Sequence, residues 1–169
     1  MLELILKGDV KKLAIEEVRA YFKQFNRDND IVEHEQSSAT VELAAQAVGV
    51  IPARIAKTLS FKINDGAILV VTSGDAKIDN QKFKKEFGCK AKMLTPEEAL
   101  EFIGHAVGGV CPFALKTDVK VYLDESMKRF ETVFPAAGSS NSSIELTCDE
   151  LDRYSNCDKW VDVCKGHNL

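Results

Sequence analysis

A lysine and a threonine stand side by side at the start of an alternating segment, and they are the first residues that could do chemistry. Lys57 and Thr58 begin a stretch, 57–63, in which polar and apolar residues alternate. Strict alternation predicts a half-buried β-strand. The sequence therefore predicts a rigid element that holds a cation next to a hydroxyl group.

The stretch GHAVGGVCPF, residues 104–113, is the second candidate. Three glycines and a proline within ten residues are incompatible with a regular helix or a central strand, so an ordered loop is predicted. Successive backbone N–H groups in such a loop can bind an oxyanion. The candidate donors are Gly108, Gly109 and Val110, and His105 and Cys111 add polar side chains.

A cation, a hydroxyl group and backbone donors suit the hydrolysis of an activated ester, whose tetrahedral oxyanion needs hydrogen-bond donors. The sequence shows no Ser-His-Asp set, no paired carboxylates and no phosphate-binding lysine loop. Cys157, Cys164 and His167 match no standard zinc spacing. Catalysis without a metal or other cofactor, by positioning and electrostatics, is therefore predicted.

Lys57, followed about fifty residues later by a Gly-x-x-x-Gly-Gly-x-Cys-Pro pattern that starts at Gly104, resembles the YbaK family, the editing domain associated with prolyl-tRNA synthetase. The similarity extends over nearly the whole chain and is clearest in 41–148. It implies a stand-alone deacylase that hydrolyses the ester of mischarged tRNA, chiefly tRNA for proline carrying cysteine, alanine or another small amino acid. The implied partners are the tRNA 3′ end and prolyl-tRNA synthetase.

The resemblance also implies roles for individual residues, with Lys57, Gly108 and Gly109 as catalytic residues. The residues assigned to substrate binding, two of them in a second small-residue loop at 135–143, are Thr58, Gly104, His105, Val110, Cys111, Pro112, Gly138 and Ser139. Cys111 occupies a position where the family often has serine, and His105 occupies a variable position that shapes the amino-acid pocket. These two departures leave the substrate open but not the reaction class.

Two other functions compete with the deacylase. The first is a module that binds tRNA or a synthetase without turnover. The second is a cysteine hydrolase that uses Cys111 with His105, which ranks lowest because no third residue that would orient the histidine is evident. The amino acid removed, the tRNA preferred and the oligomeric state stay open at this stage.

Composition and charge restrict the class of protein. With 169 residues, 45% hydrophobic and 28% charged, the chain fits one globular domain over 1–169. No apolar run approaches the roughly 20 residues that span a bilayer, so a cytoplasmic protein without membrane contact is predicted. A net charge of −4 opposes general binding to DNA. Lys82, Lys84 and Lys85 form a local basic cluster that predicts tRNA binding, although a solvated helix face explains it equally well.

The predicted elements alternate between short strands and short helices. An N-terminal helix over about 9–25 begins at Asp9, and the strands 57–63 and 67–72 form a hairpin in the middle of a sheet. Further predicted helices are 40–49, 79–88, 95–104 and 147–154, and further predicted strands are 31–35, 119–123, 132–134, 144–146 and 160–163. Without a strict βαβ rhythm this pattern indicates an α+β fold. The resemblance implies a mixed, partly curled sheet flanked by helices.

Overall fold

The computed structural model describes residues 14–37, 40–105, 110–115 and 118–167, which form an α+β domain. The helices are α1 (14–23), α2 (Val41–Val48), α3 (Asn80–Phe87), α4 (Pro96–Phe102) and α5 (Cys148–Ser155). The strands are β1 (Val32–Glu33), β2 (Ile55–Ile63), β3 (Gly66–Ser73), β4 (Lys77–Ile78), β5 (Lys120–Asp124), β6 (Thr132–Pro135), β7 (Ser142–Ser143), β8 (Leu146–Thr147), β9 (Lys159–Val161) and β10 (Cys164–Lys165).

The main sheet of the described residues has six strands in the order β8-β6-β2-β3-β5-β9. β2 runs antiparallel to β3, whereas β6 is parallel to β2 and β5 is parallel to β3. The α+β class with a mixed sheet is therefore confirmed. The two small ribbons β1-β7 and β4-β10 lie outside this sheet.

The predicted central hairpin is confirmed as well. β2 and β3 pair from Ile63 opposite Gly66 to Ala56 opposite Ser73. Asn64 has φ 52° in the two-residue turn between them, a conformation that asparagine tolerates better than most residues. Because β3 is buried along almost its whole length, this hairpin is the rigid base on which Lys57 and Thr58 lie.

Each face of the hairpin packs against its own apolar core. Leu69 and Val71 belong to a core with Phe22 of α1 and Leu151 of α5, whereas Val70 belongs to a second core on the other face. Successive side chains of a strand point to opposite faces. Consequently α1 and α5 cover one face of the sheet, and Phe83 of α3 covers the other.

The helix starts predicted from capping residues agree with the structure. Thr40 and Asp79 cap α2 and α3 through their side-chain oxygens, and Thr95 and Thr147 form full capping boxes at α4 and α5. Each side-chain oxygen accepts a backbone N–H that the helix leaves unpaired. The predicted cap at Asp9 lies outside the described residues, and within them α1 runs over 14–23.

The last part of the chain differs from the prediction of single strands at 144–146 and 160–163. Val163 N donates to the buried carboxylate of Asp124 at 2.9 Å, so its amide bonds a side chain instead of a neighbouring strand. The chain turns there, and Cys164 then pairs with Ile78 of β4. Similarly, β7 and β8 are separate because Ile144 N bonds Pro135 O while Glu145 stays exposed.

Candidate functional site

A cleft of about 410 Å³ lies between α2 and the open edge of β2. On that side β6 pairs with β2 only at Ile55 and Ala56. Further along, the segment 92–94 joins the same edge, because Lys62 N donates to Lys92 O and Leu94 N donates to Ser60 O. Between these two attachments no described strand pairs with β2, and this gap forms the floor of the cleft.

The walls of the cleft are mostly apolar. The side chains that form them come from α2, from β2, from the ends of β6 and from the loops at 93–96 and 110. They are Val41, Ala44, Val48, Ile55, Ala56, Leu59, Met93, Leu94, Pro96, Val110, Phe134 and Ala136. Polar groups enter the cleft at a few places, as is typical of small-ligand sites. Those groups belong to Lys57, Thr58, Ser60, His34, Thr40, Ser142 and Ser143.

Lys57 lines the cleft, and a backbone carbonyl group holds its ammonium group. Lys57 Nζ donates to Ala76 O at 2.5 Å. Burial lowers the pKa of the Lys57 ammonium, while the carboxylates of Asp75 and Glu42 oppose this shift. The protein thus fixes one partly desolvated cation beside the cleft, as the sequence predicts for a strand lysine.

The turn that receives Lys57 is itself fixed by an ion pair that the sequence does not reveal. Arg129 NH2 donates to Asp75 Oδ1 at 2.6 Å and to Ser73 Oγ at 2.8 Å. Burial acts to raise the pKa of Asp75, but the hydrogen bonds from Arg129 and Ser73 lower it overall. Gly74 brings this turn against Pro52, because a Cβ built on Gly74 would lie 2.1 Å from Pro52 O. These residues position Ala76, and through it Lys57.

Thr58 faces the cleft from the side of the strand opposite to Lys57. Its Oγ1 is buried and, within the part of the chain that the structure describes, has no hydrogen-bond partner. Buried hydroxyl groups in native proteins are nearly always hydrogen-bonded. The substrate-binding role of Thr58 stays a prediction, and its unpaired hydroxyl group is the structural feature that bears on it.

His34 and Ser143 form a polar contact in the cleft that sequence reasoning missed. His34 Nε2 lies 3.2 Å from Ser143 Oγ, although the two residues are 109 positions apart. His34 directly follows β1, which pairs with β7, and β7 contains Ser143. No local pattern in the sequence predicts the pair, because only the β1-β7 ribbon brings the two side chains together.

His105 and Cys111 are neighbours but both lie in the interior, and neither is among the described residues that line the cleft. Cys111 N donates to His105 Nδ1 at 3.3 Å, which places the ring proton on Nε2. Burial lowers the pKa of His105 to about 4 and raises the pKa of Cys111 to about 12. Both groups are thus neutral near pH 7, which opposes the cysteine-hydrolase alternative.

Four other residues that were predicted to bind substrate lie away from the cleft. Gly104 follows α4 with φ 86°, and Pro112 is buried. Gly138 packs so closely on α1 that a Cβ would lie 2.8 Å from Ala14 O. Ser139 Oγ bonds Ser142 Oγ at 2.8 Å. None of these four residues is among the described residues that line the cleft, and of the loop that contains Gly138 and Ser139 the residues Ser142 and Ser143 line it instead. Gly108 and Gly109 lie outside the described residues.

The basic cluster on α3 divides into two parts. Lys82 Nζ donates to Asp162 Oδ1 at 3.0 Å and to Cys164 O at 2.9 Å, so this lysine fastens α3 to the last strands. Lys84 and Lys85 are exposed, and no ion pair involves them among the described residues. In those same ranges no group of three or more His, Cys, Asp or Glu side chains could hold a metal ion.

Residues 35–154 match the aminoacyl-tRNA editing domain family. The chain belongs to the aminoacyl-tRNA editing domain family. The cleft described above lies mostly within the matched residues, with His34 adjoining their first position.

Related members of the editing family differ in length. The chain is 57% identical to the uncharacterized protein YwhH of Bacillus subtilis, covering 90% of this chain and 98% of that protein. It is 28% identical to the proline–tRNA ligase of Thermosipho melanesiensis, covering 84% of this chain but only 25% of the ligase. A crystal structure described as a candidate trans-editing enzyme for prolyl-tRNA synthetase superposes with a TM-score of 0.81 at 30% identity, covering 90% of this chain and 98% of the other.

Proposed function

We propose that this protein is a cytoplasmic, trans-acting deacylase that hydrolyses the ester of mischarged tRNA without a metal ion. The observation that carries the proposal is the cleft at the open edge of β2, where Lys57, Thr58 and Val110 meet in a chain of the editing family. Val110 directly follows Gly109 in the sequence, and Gly108 and Gly109 are the backbone donors assigned to this site. The conclusion is an editing site built from one cation and backbone dipoles.

In this mechanism the protein positions an ester that is already reactive. The cation of Lys57 holds the tRNA end or polarises the ester, and the N–H groups of Gly108 and Gly109 stabilise the oxyanion that forms when water attacks the carbonyl carbon. Loss of one such donor typically raises the barrier by about 2.7–4 kcal/mol. The bond between the carbonyl carbon and the ribose oxygen then breaks, and the ribose oxygen takes up the proton that the attacking water loses.

The dimensions and walls of the cleft support a small amino acid as the group removed. Val41, Ala44 and Val48 of α2 line the volume of about 410 Å³ together with Leu59 and Leu94, and part of that volume must hold the ester and the ribose. We assign cysteine, alanine or another small amino acid on tRNA for proline as the group removed. A pocket separates such side chains by only about 1–3 kcal/mol, which is why editing is needed.

The direct test is a panel of tRNAs for proline charged with alanine, cysteine, serine or proline and incubated with the purified protein. We expect rapid loss of a small non-cognate amino acid, slow loss of proline, and no effect of a chelator. If every ester decays at the uncatalysed rate while the protein binds tRNA, the module without turnover is the correct assignment.

We predict that Cys111→Ser retains most of the deacylase activity. Cys111 is fully buried, and burial raises the pKa of its thiol to about 12, so the thiolate needed for covalent catalysis is absent at neutral pH. Steady-state rates and mass spectrometry of the protein during turnover provide the measurement. An acyl group trapped on Cys111, or loss of nearly all turnover in the serine variant, would restore the cysteine hydrolase.

Lys84 and Lys85 are expected to contact tRNA phosphates, together with the remaining exposed edge of Lys82. Each lost contact flattens the slope of log K against log salt by about 0.7 to 0.9, so Lys84→Ala/Lys85→Ala should reduce the slope by about 1.5. Lys23→Ala is the control, because α1 lies on the opposite face of the sheet from α3. If the double variant keeps the wild-type dependence of log K on log salt, these lysines do not contact tRNA and only form a solvated helix face.

A further inference from the structure

Thr58 presents unpaired polar groups to the cleft, and they identify the part of the substrate that it recognises. The side-chain Oγ1 is buried without a partner among the described residues. A buried hydroxyl group that lacks a protein partner at the edge of a ligand cleft indicates that the ligand supplies the partner.

The register of β2 shows where the main-chain groups of Thr58 point. The hairpin closes at Ile63 opposite Gly66, so the backbone groups of the odd-numbered residues of β2 exchange hydrogen bonds with β3. The backbone N–H and C=O groups of the even-numbered residues point away from β3. The bonds that Ser60 O and Lys62 N make to the segment 92–94 confirm this direction. The carbonyl group of Thr58 therefore faces the gap, where no described strand pairs with it.

Thr58 thus offers two oxygen acceptors, Oγ1 and the carbonyl oxygen, and its own N–H group faces the same side as the carbonyl group. An ammonium group carries three donors and no acceptor, so it fits this pair, and a charged donor gives the stronger hydrogen bonds. Lys57 does not compete for these acceptors, because its ammonium group bonds Ala76 O.

We propose that Thr58 binds the α-ammonium group of the aminoacyl ester, and that the protein therefore requires a free α-amino group in its substrate. The inference rests on the proposed deacylase function. The α-carbon of an aminoacyl ester carries a side chain, an ammonium group and the ester carbonyl. The apolar wall formed by Val41, Ala44 and Val48 suits the side chain, so the ammonium group faces β2 on the other wall.

A substrate that lacks the ammonium group should then be hydrolysed poorly, because binding it would leave buried acceptors of Thr58 unpaired. We expect the wild-type protein to prefer alanyl-tRNA to propionyl-tRNA, in which hydrogen replaces the amino group, by at least about 10-fold in kcat/KM. Each rate is divided by the uncatalysed hydrolysis rate of the same ester, which removes the difference in intrinsic reactivity. Equal corrected rates for the two esters would overturn the proposal without any variant.

The contribution of Oγ1 is measured by comparing the hydrolysis of alanyl-tRNA and propionyl-tRNA by the wild-type protein and two Thr58 variants. Thr58→Val removes the hydroxyl group at nearly constant volume, and Thr58→Ser keeps it. We expect Thr58→Val to lower kcat/KM for alanyl-tRNA by about 10- to 100-fold, as for the loss of a hydrogen bond to a charged group. We expect the same variant to change propionyl-tRNA hydrolysis by less than about 3-fold, and Thr58→Ser to stay close to the wild type on both esters.

Equal losses on both esters would show that Thr58 supports the fold or the reaction in general, and would contradict recognition of the ammonium group. Unchanged rates on both esters in Thr58→Val would contradict it as well. If the wild-type protein hydrolyses alanyl-tRNA and propionyl-tRNA equally well, the deacylase function stands and this inference fails. If it hydrolyses no aminoacyl ester, the proposed function itself fails.

Discussion

Lys57→Ala is expected to lower the deacylation rate by at least about 100-fold while the protein stays folded. Lys57 is the cation fixed beside the cleft, and its Nζ is already oriented by Ala76 O. A pre-oriented cation can stabilise developing charge without reorganisation. The stability should change little, because burial already lowers the pKa of this ammonium and its removal relieves a desolvation cost.

The measurement is single-turnover hydrolysis of a mischarged tRNA together with thermal unfolding of each variant. Lys57→Met separates charge from packing, since methionine keeps most of the apolar stem. Lys62→Met is the matched control on the same strand. Lys62 does not line the cleft, and its Nζ lies 3.3 Å from a carboxylate oxygen of Glu98. Wild-type turnover in a folded Lys57→Ala protein would contradict the assignment of the catalytic cation.

Gly74→Ala is expected to have the largest effect on stability. A Cβ at this position would lie 2.1 Å from Pro52 O and 2.7 Å from Val41 Cγ1. The backbone oxygen cannot move away as a flexible side chain could, so the turn 73–76 and the segment at Pro52 must separate. We expect a loss of about 3 kcal/mol in the free energy of unfolding, at the upper end of the usual cost of overpacking.

The same substitution should also reduce deacylation in the fraction that stays folded, because Val41 lines the cleft and Ala76, two residues after Gly74, holds Lys57. Denaturant unfolding followed by activity measurements at low temperature separates the two effects. Gly66→Ala is the control, since a Cβ there meets only Ile63 O at 3.9 Å. Equal stability of Gly74→Ala and Gly66→Ala would show that the turn adapts without cost.

The sequence was sufficient for the elements that depend on local rules. Alternation predicts β2, and β-branched and apolar residues predict β3. The threonine and aspartate caps predict where α2, α3, α4 and α5 begin, because capping is a contact between residues three positions apart or fewer. The motif that begins with Lys57 also suffices to indicate the editing family, which the match over 35–154 shows.

Several residues that were predicted to line one pocket lie in the interior instead, because of packing between distant segments that local sequence rules do not describe. His105 and Cys111 are polar and lie next to glycines, so the sequence places them in a pocket, yet they are 1% and 0% exposed. The backbone N–H of Cys111 donates to His105 Nδ1 and the thiol of Cys111 donates to Phe113 O, so two of the buried polar atoms have partners in the interior. Gly138 likewise serves close packing against Ala14 of α1, a contact between segments more than a hundred residues apart.

The sequence by itself determined the strand that carries Lys57 and Thr58 on opposite faces, the helix caps around it and the family to which the chain belongs. Only the tertiary structure decided that the ammonium group of Lys57 bonds Ala76 O, and that His34 meets Ser143. It also decided that the edge of β2 stays open between β6 and the segment 92–94. The physical reason is that strand pairing joins distant segments through their backbones, whose hydrogen-bonding groups are the same in every residue except proline.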